Sequence, residues 1–222
     1  MKQYATSAPI SVVLDIPAGH IRLVAADRTD TTVEVLPANA AKSRDIKAAE
    51  QTEVSYGDGV LRIETAAAKN RVLGPSGSLE VTIQLPAGSR IEAKAADAEF
   101  RSAGRLGDVT FEGAHGTVKL DEAASARLTL QAGDIFLGRL GGPGEISTHK
   151  GDLHIAEAVH GTVTLTTQSG DITVGAARTT SATLNAHSAH GRIDNALRNT
   201  DGAAGLTLHA TTQHGDITAR SL

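Results

Sequence analysis

One short motif recurs through more than half of the chain: a glycine, a polar residue, an apolar residue, any residue, and a second apolar residue. It stands at Gly107-Asp108-Val109-Thr110-Phe111, Gly116-Thr117-Val118-Lys119-Leu120, Gly133-Asp134-Ile135-Phe136-Leu137, Gly151-Asp152-Leu153-His154-Ile155, Gly161-Thr162-Val163-Thr164-Leu165 and Gly170-Asp171-Ile172-Thr173-Val174, with degraded copies at Gly144, Gly191 and Gly215. Of the 23 glycines, 17 lie from Gly104 onward, so the repeat belongs to that part of the chain. Many copies are 9 or 10 residues apart, and the Gly-Asp copies at 133, 151 and 170 are 18 and 19 apart. A strand-and-turn unit this short cannot bury its two apolar side chains alone and must stack on its neighbours. The expected fold is all-β, a β-solenoid whose coils take about two repeats each. Stacking about 4.8 Å apart would align the apolar positions into interior columns, one of them formed by Val109, Ile135, Leu153, Ile172 and Ile217. An antiparallel sandwich also has evenly spaced short strands, but its strands do not usually repeat one motif in register.

Upstream the alternation has period two, as in Val12, Leu14 and Ile16, then Ile21 and Leu23, then Val33 and Val35, and reads as strands. Leu14-Asp15-Ile16-Pro17-Ala18-Gly19 is echoed by Ile83-Gln84-Leu85-Pro86-Ala87-Gly88, and each Pro-Ala-Gly predicts a turn that reverses the chain between two strands. Residues 43–51 form the one helical stretch, with Ser43 as its expected N-cap. The Gly, Pro, Ser and Asn content of residues 66–77 predicts a loop, the most exposed connection. The expected organisation is a β-rich N-terminal cap over 1–103 and solenoid repeats over 104–222, in one continuous domain. Because the last full repeat runs to Leu222, it is expected to be the final coil, covered by the irregular stretch 195–205 and otherwise open to self-association.

Composition narrows the function. With 21 Lys and Arg against 25 Asp and Glu, the net charge is −4, and no basic patch suited to nucleic acid is visible. The absence of cysteine removes disulfides, thiolate metal sites and thiol nucleophiles. Two Tyr, three Phe and no Trp offer few stacking platforms. No apolar stretch approaches the roughly 20 residues a membrane span needs, so no membrane insertion is expected. The opening residues lack the apolar core of a signal peptide, and a cytoplasmic location is the expectation.

The run of Gly-Asp-Ile/Val/Leu repeats, the Pro-Ala-Gly strand pairs and the ending Gly215-Asp216-Ile217-Thr218-Ala219-Arg220 together resemble the bacterial putative adhesin family, a domain of unknown function built as a β-solenoid. The resemblance covers nearly the whole chain and implies no catalytic residue and no cofactor.

Three sets of residues are candidates for a site. Asp108, Asp134, Asp152 and Asp171, if stacked at one corner, either cap their own turns or form a carboxylate ladder able to hold calcium. His115, His160, His190 and His214 each precede a repeat glycine, although the 115-to-160 and 190-to-214 spacings do not suggest adjacency. The outward positions of the Gly-Asp rungs carry Thr110, Phe136, His154, Thr173 and Thr218, with Lys119, Ser147 and Thr164 on neighbouring rungs. That face reads either as a docking surface for a protein or glycan partner or as ordinary β-propensity. The acids are spread one per turn rather than paired as a glycosidase requires, so a non-catalytic interaction or scaffold module is the leading expectation. A carbohydrate-binding or carbohydrate-active solenoid is the alternative.

Overall fold

The computed structural model describes residues 1–66, 77–199 and 204–222. The loop expected over 66–77 falls mainly on 67–76, outside the described residues.

Alternation becomes strand almost throughout, and the described residues hold seventeen strands and one helix in a single hydrogen-bonded sheet. A coil is two strands meeting at a corner. β2 (Ser11–Ala26), β7 (Arg90–Ala103) and β8 (Arg105–Ala132) bend through their corners while remaining strand. Later corners separate β8 from β9 (Ile135–Leu140), β10 (Gly144–Lys150) from β11 (Leu153–Ala158), and β12 (Gly161–Ser169) from β13 (Ile172–Ala176). The same break separates β14 (Ala182–His190) from β15 (Ile193–Ala196), and β16 (Leu206–His214) from β17 (Ile217–Ser221). Successive coils pair in parallel, β2 on β7, β7 on β8, β8 on β10, β10 on β12 and β12 on β16, which makes a solenoid with two sheet faces.

Register explains the core. On the second face Ile21, Phe100, Val118, Ile135, Leu153, Ile172, Ile217 and Ile193 stand opposite one another in order. All but Ile193 are fully buried, and each such side chain contributes on the order of 1.5–3 kcal/mol. Val118 therefore holds the place expected for Val109. Val109 instead faces Ile91 in the first-face column that begins at Val12. The motif recurs every half coil, so consecutive copies alternate between faces, and the copy at Gly107 is half a coil out of phase with those at 133, 151 and 170.

The corners carry three aligned ladders. Gly133, Gly151, Gly170 and Gly215 all have φ between 138° and 152°. A Cβ on Gly170 would lie 2.0 Å from the Gly151 carbonyl oxygen, so no other residue fits there. Inside, the buried hydroxyls of Thr148, Thr167 and Thr212 donate to the carbonyls of Gly133, Gly151 and Gly170 at 3.3, 3.1 and 3.1 Å. Outside, an Oδ1 of Asp134, Asp152, Asp171 and Asp216 accepts the backbone N–H of Asp152, Asp171, Asp216 and Arg192 respectively, at 2.8–2.9 Å. Each aspartate thus caps the next coil rather than its own turn.

At the N-terminal end β5 (Val60–Thr65) and β6 (Leu79–Pro86) lie parallel on the two halves of β2. Beyond them β4 (Thr52–Gly57), β3 (Asp30–Pro37) and β1 (Lys2–Ala5) pair antiparallel. Helix α1 (Ser43–Glu50) packs on β3, β4 and β6 and buries Ala48 and Asp45. Asp45 Oδ1 accepts the Ser78 N–H at 3.0 Å, which satisfies the buried carboxylate.

Four expectations need correction. Parallel stacking starts at Ser11 instead of at residue 104, and β7–β8 pairing crosses the 103/104 division, because β2 already carries a full coil's pattern of inward residues. Pro17-Ala18-Gly19 is a corner inside β2, not a reversal, since the strand halves on either side pair with other coils. Lys42 occupies the N-cap position without a side-chain cap, and Ser43 is the first helical residue. Finally, β16–β17 is not the last coil. It lies between β12–β13 and β14–β15, pairing in parallel with both, and leaves β14–β15 as the open end with Ile193 46% exposed. Leu197, from the stretch expected as a cover, is partly buried against the core.

Candidate interaction surfaces

Because side chains alternate along a strand, the residue following each second-face core position points outward. Parallel register then sets Lys119, Phe136, His154, Thr173 and Thr218 side by side across five coils, with Asp194 at the open end. Phe136 is 37% exposed. Its ring lies 5.2 Å from Lys119 Nζ and 6.1 Å, centroid to centroid, from the His154 imidazole. A cation over an exposed aromatic face is worth about 0.5–1 kcal/mol, which favours this orientation of the ring. Beside this column Arg139 bonds Glu157 at 2.5 Å and approaches Glu122 at 3.9 Å. Such exposed pairs add little stability but bound the apolar centre with charge.

Four of the five expected residues therefore share one column. Thr110 does not. It stands opposite Glu92 on the first face, and Ser147 and Thr164 also belong to that face. The residue that completes the column is Lys119, which is recoverable once the half-coil phase is known.

Of the expected aspartate stack, Asp134, Asp152 and Asp171 are aligned and Asp216 joins them, whereas Asp108 sits at a different corner and accepts the Ser125 hydroxyl at 2.6 Å. The Asp216 carboxyl is held below the ordinary 3.8, first by the Arg192 backbone N–H and then by the Arg192 guanidinium. Among the described residues no three His, Asp or Glu side chains converge to hold a metal ion. The histidines overturn their spacing argument. His190 and His214 are adjacent, their rings stacked with centroids 4.9 Å apart and 21° between planes, because the inserted coil brings residues 24 apart into one rung pair. His115 instead faces Asp97, and His160 lies beside Gly142.

A second surface was not visible in the sequence. Where the second face of one coil turns into the first face of the next, two adjoining clefts of about 470 and 510 Å³ share Asp108, Ser125 and Pro143. Small residues at this corner, Ala124, Gly141 and Gly142, leave it open. Arg127 and Glu145, on neighbouring coils, pair across the first cleft at 3.0 Å. Arg90 lines the first cleft and Arg105 the second. Among the described residues neither takes part in an ion pair. No helix among the described residues is long and apolar enough to cross a membrane.

Solved structures similar to this chain include three adhesin-type proteins. A putative adhesin from Parabacteroides distasonis has a similar structure at TM-score 0.52 and 14% identity, over 98% of this chain and 95% of its own. A putative adhesin from Bacteroides fragilis matches at TM-score 0.48 and 13% identity, over 98% and 95%. A putative cell adhesion protein from Clostridium sporogenes matches at TM-score 0.39 and 12% identity, over 100% and 99%. None of the curated proteins matches the sequence. Residues 11–220, from the first residue of β2 to the penultimate residue of β17, match the family model described as Toastrack DUF4097, and the chain belongs to that family.

Proposed function

We propose that the chain is a non-catalytic recognition module that docks a protein partner on the second-face column. The observation that carries this reading is the alignment of Lys119, Phe136, His154, Thr173 and Thr218 on a rigid ladder, with a half-exposed aromatic at its cationic end. Interfaces concentrate their energy in a few such anchors, surrounded by residues that chiefly exclude water. The threonines give a flat surface with little rotamer entropy to lose, and Arg139, Glu122 and Glu157 give a charged margin. The cytoplasm is the setting this reading takes, with cell fractionation as its check.

The test places a photo-crosslinking residue at Thr173 and treats cells of the native host. Discrete protein adducts are expected, and Phe136→Ala should abolish them with the melting temperature unchanged, since a truncated anchor costs about 2 kcal/mol or more of binding. Adducts that persist in Phe136→Ala, or an absence of adducts, would overturn the reading.

A further inference from the structure

The groove at the Asp108–Ser125 corner shares only Glu122 with the charged margin of that docking face, and the rest of its lining differs in chemistry. We propose that it binds an oligosaccharide bearing carboxylate groups. From Arg90 on the second coil to Thr164 on the sixth, the lining crosses four coil steps, about 19 Å at the spacing of paired strands, which is long enough for a short saccharide.

The lining selects the ligand. Thr110, Ser125 and Thr164 present hydroxyls along it, and the Asp108 carboxylate can accept further hydrogen bonds, which suits a polyol. Arg127 is committed to Glu145, but Arg90 and Arg105 stand at the groove without an ionic partner among the described residues. A guanidinium presents a planar fork that matches a carboxylate with two parallel hydrogen bonds, so the two arginines call for acidic groups on the ligand.

The same geometry disfavours an acidic peptide. The groove runs across the coils, whose backbone N–H and C=O groups are already joined coil to coil, so no free strand edge is offered to an extended chain. Among the described lining residues no Phe, Tyr, Leu or Ile forms a pocket to anchor peptide side chains, the apolar lining being Val109 and small alanines beside Pro143.

The experiment is calorimetric titration of the full chain with tetragalacturonate, with maltotetraose as the neutral saccharide and tetraglutamate as the acidic peptide. Tetragalacturonate should bind and the other two should not. Arg90→Ala and Arg105→Ala should each weaken binding about tenfold, the equivalent of one charged hydrogen-bonded contact, and Arg90→Lys by less. Phe136→Ala should leave the affinity intact, which separates failure of this inference from failure of the docking-face reading. Absence of binding to tetragalacturonate, equal binding of tetraglutamate, or an affinity indifferent to both arginine substitutions would overturn the proposal. Exposed arginines are poor determinants of folding, and an unchanged melting temperature in each variant verifies that the comparison is of binding alone.

Discussion

Replacing Thr167 by valine tests whether the interior hydroxyl ladder holds the coils together. Thr167 is 1% exposed, and its Oγ1 donates to the Gly151 carbonyl of the neighbouring coil at 3.1 Å, between equivalent bonds made by Thr148 and Thr212. Valine keeps the branched shape and the strand preference, so the packing is nearly unchanged and the loss is confined to the hydrogen bond. The Gly151 carbonyl, in a part-buried position, then loses that donor, a penalty of about 1–3 kcal/mol. For a chain of this size that corresponds to a fall of about 2–12 °C in Tm. Differential scanning calorimetry measures it directly. Thr167→Ser restores a donor and should recover much of the loss, although it introduces a small void. A Thr167→Val protein that melts with the parent, or a serine variant that is no better than valine, would refute the ladder.

Two further outcomes follow from the same corner. Gly170→Ala should destabilise by about 3 kcal/mol or more, because φ is 152° and the new Cβ would press on the Gly151 carbonyl oxygen, and circular dichroism melts check it. Acidification should loosen the open end, since the Asp216 carboxyl titrates lower folded than unfolded. Its stabilisation is therefore present above the ordinary 3.8 and is lost as the pH falls through the lower folded value, so hydrogen exchange in β15 should rise in that window, and Arg192→Ala should show the faster exchange already at neutral pH.

The parts of this fold that were legible in the sequence are those governed by local spacing. Glycine followed by a polar and an apolar residue every nine or so positions signalled parallel coils, and Ile135, Leu153, Ile172 and Ile217 do share an interior column. Phase was harder to read. Val109 and Thr110 carry the same local motif as Ile135 and Phe136, and only the count of half coils assigns them to the other face. Pro-Ala-Gly reads as a reversal but serves a corner at both 17–19 and 86–88, because the flanking strands pair in parallel with other coils rather than with each other, which no local pattern records. The inserted coil was hidden for a similar reason. Leu184, Ala186 and Ile193 repeat the pattern of Leu208, Ala210 and Ile217 residue for residue, so either segment fits the inner slot. One signal was present: Asn195 occupies the inward position that Ala219 fills in the neighbouring coil, and a polar residue there marks the coil that can remain wet. The groove left no local trace because Arg90, Asp108, Ser125 and Glu145 come from four separate coils.

Coil order is the most direct test of the whole account, because both the continuous outward column and the open end depend on β16–β17 lying inside β14–β15. The chain has no cysteine, so pairs can be introduced on a clean background. Thr173 stands opposite Thr218, and Thr218 opposite Asp194, which places Thr173 and Asp194 two coils apart, about 9.6 Å and beyond the roughly 7 Å a disulfide can bridge. Under mild oxidation Thr173→Cys with Thr218→Cys should cross-link, as should Thr218→Cys with Asp194→Cys, while Thr173→Cys with Asp194→Cys should stay reduced. A disulfide between positions 173 and 194, with none between 173 and 218, would show the coils stacked in simple chain order and contradict the architecture.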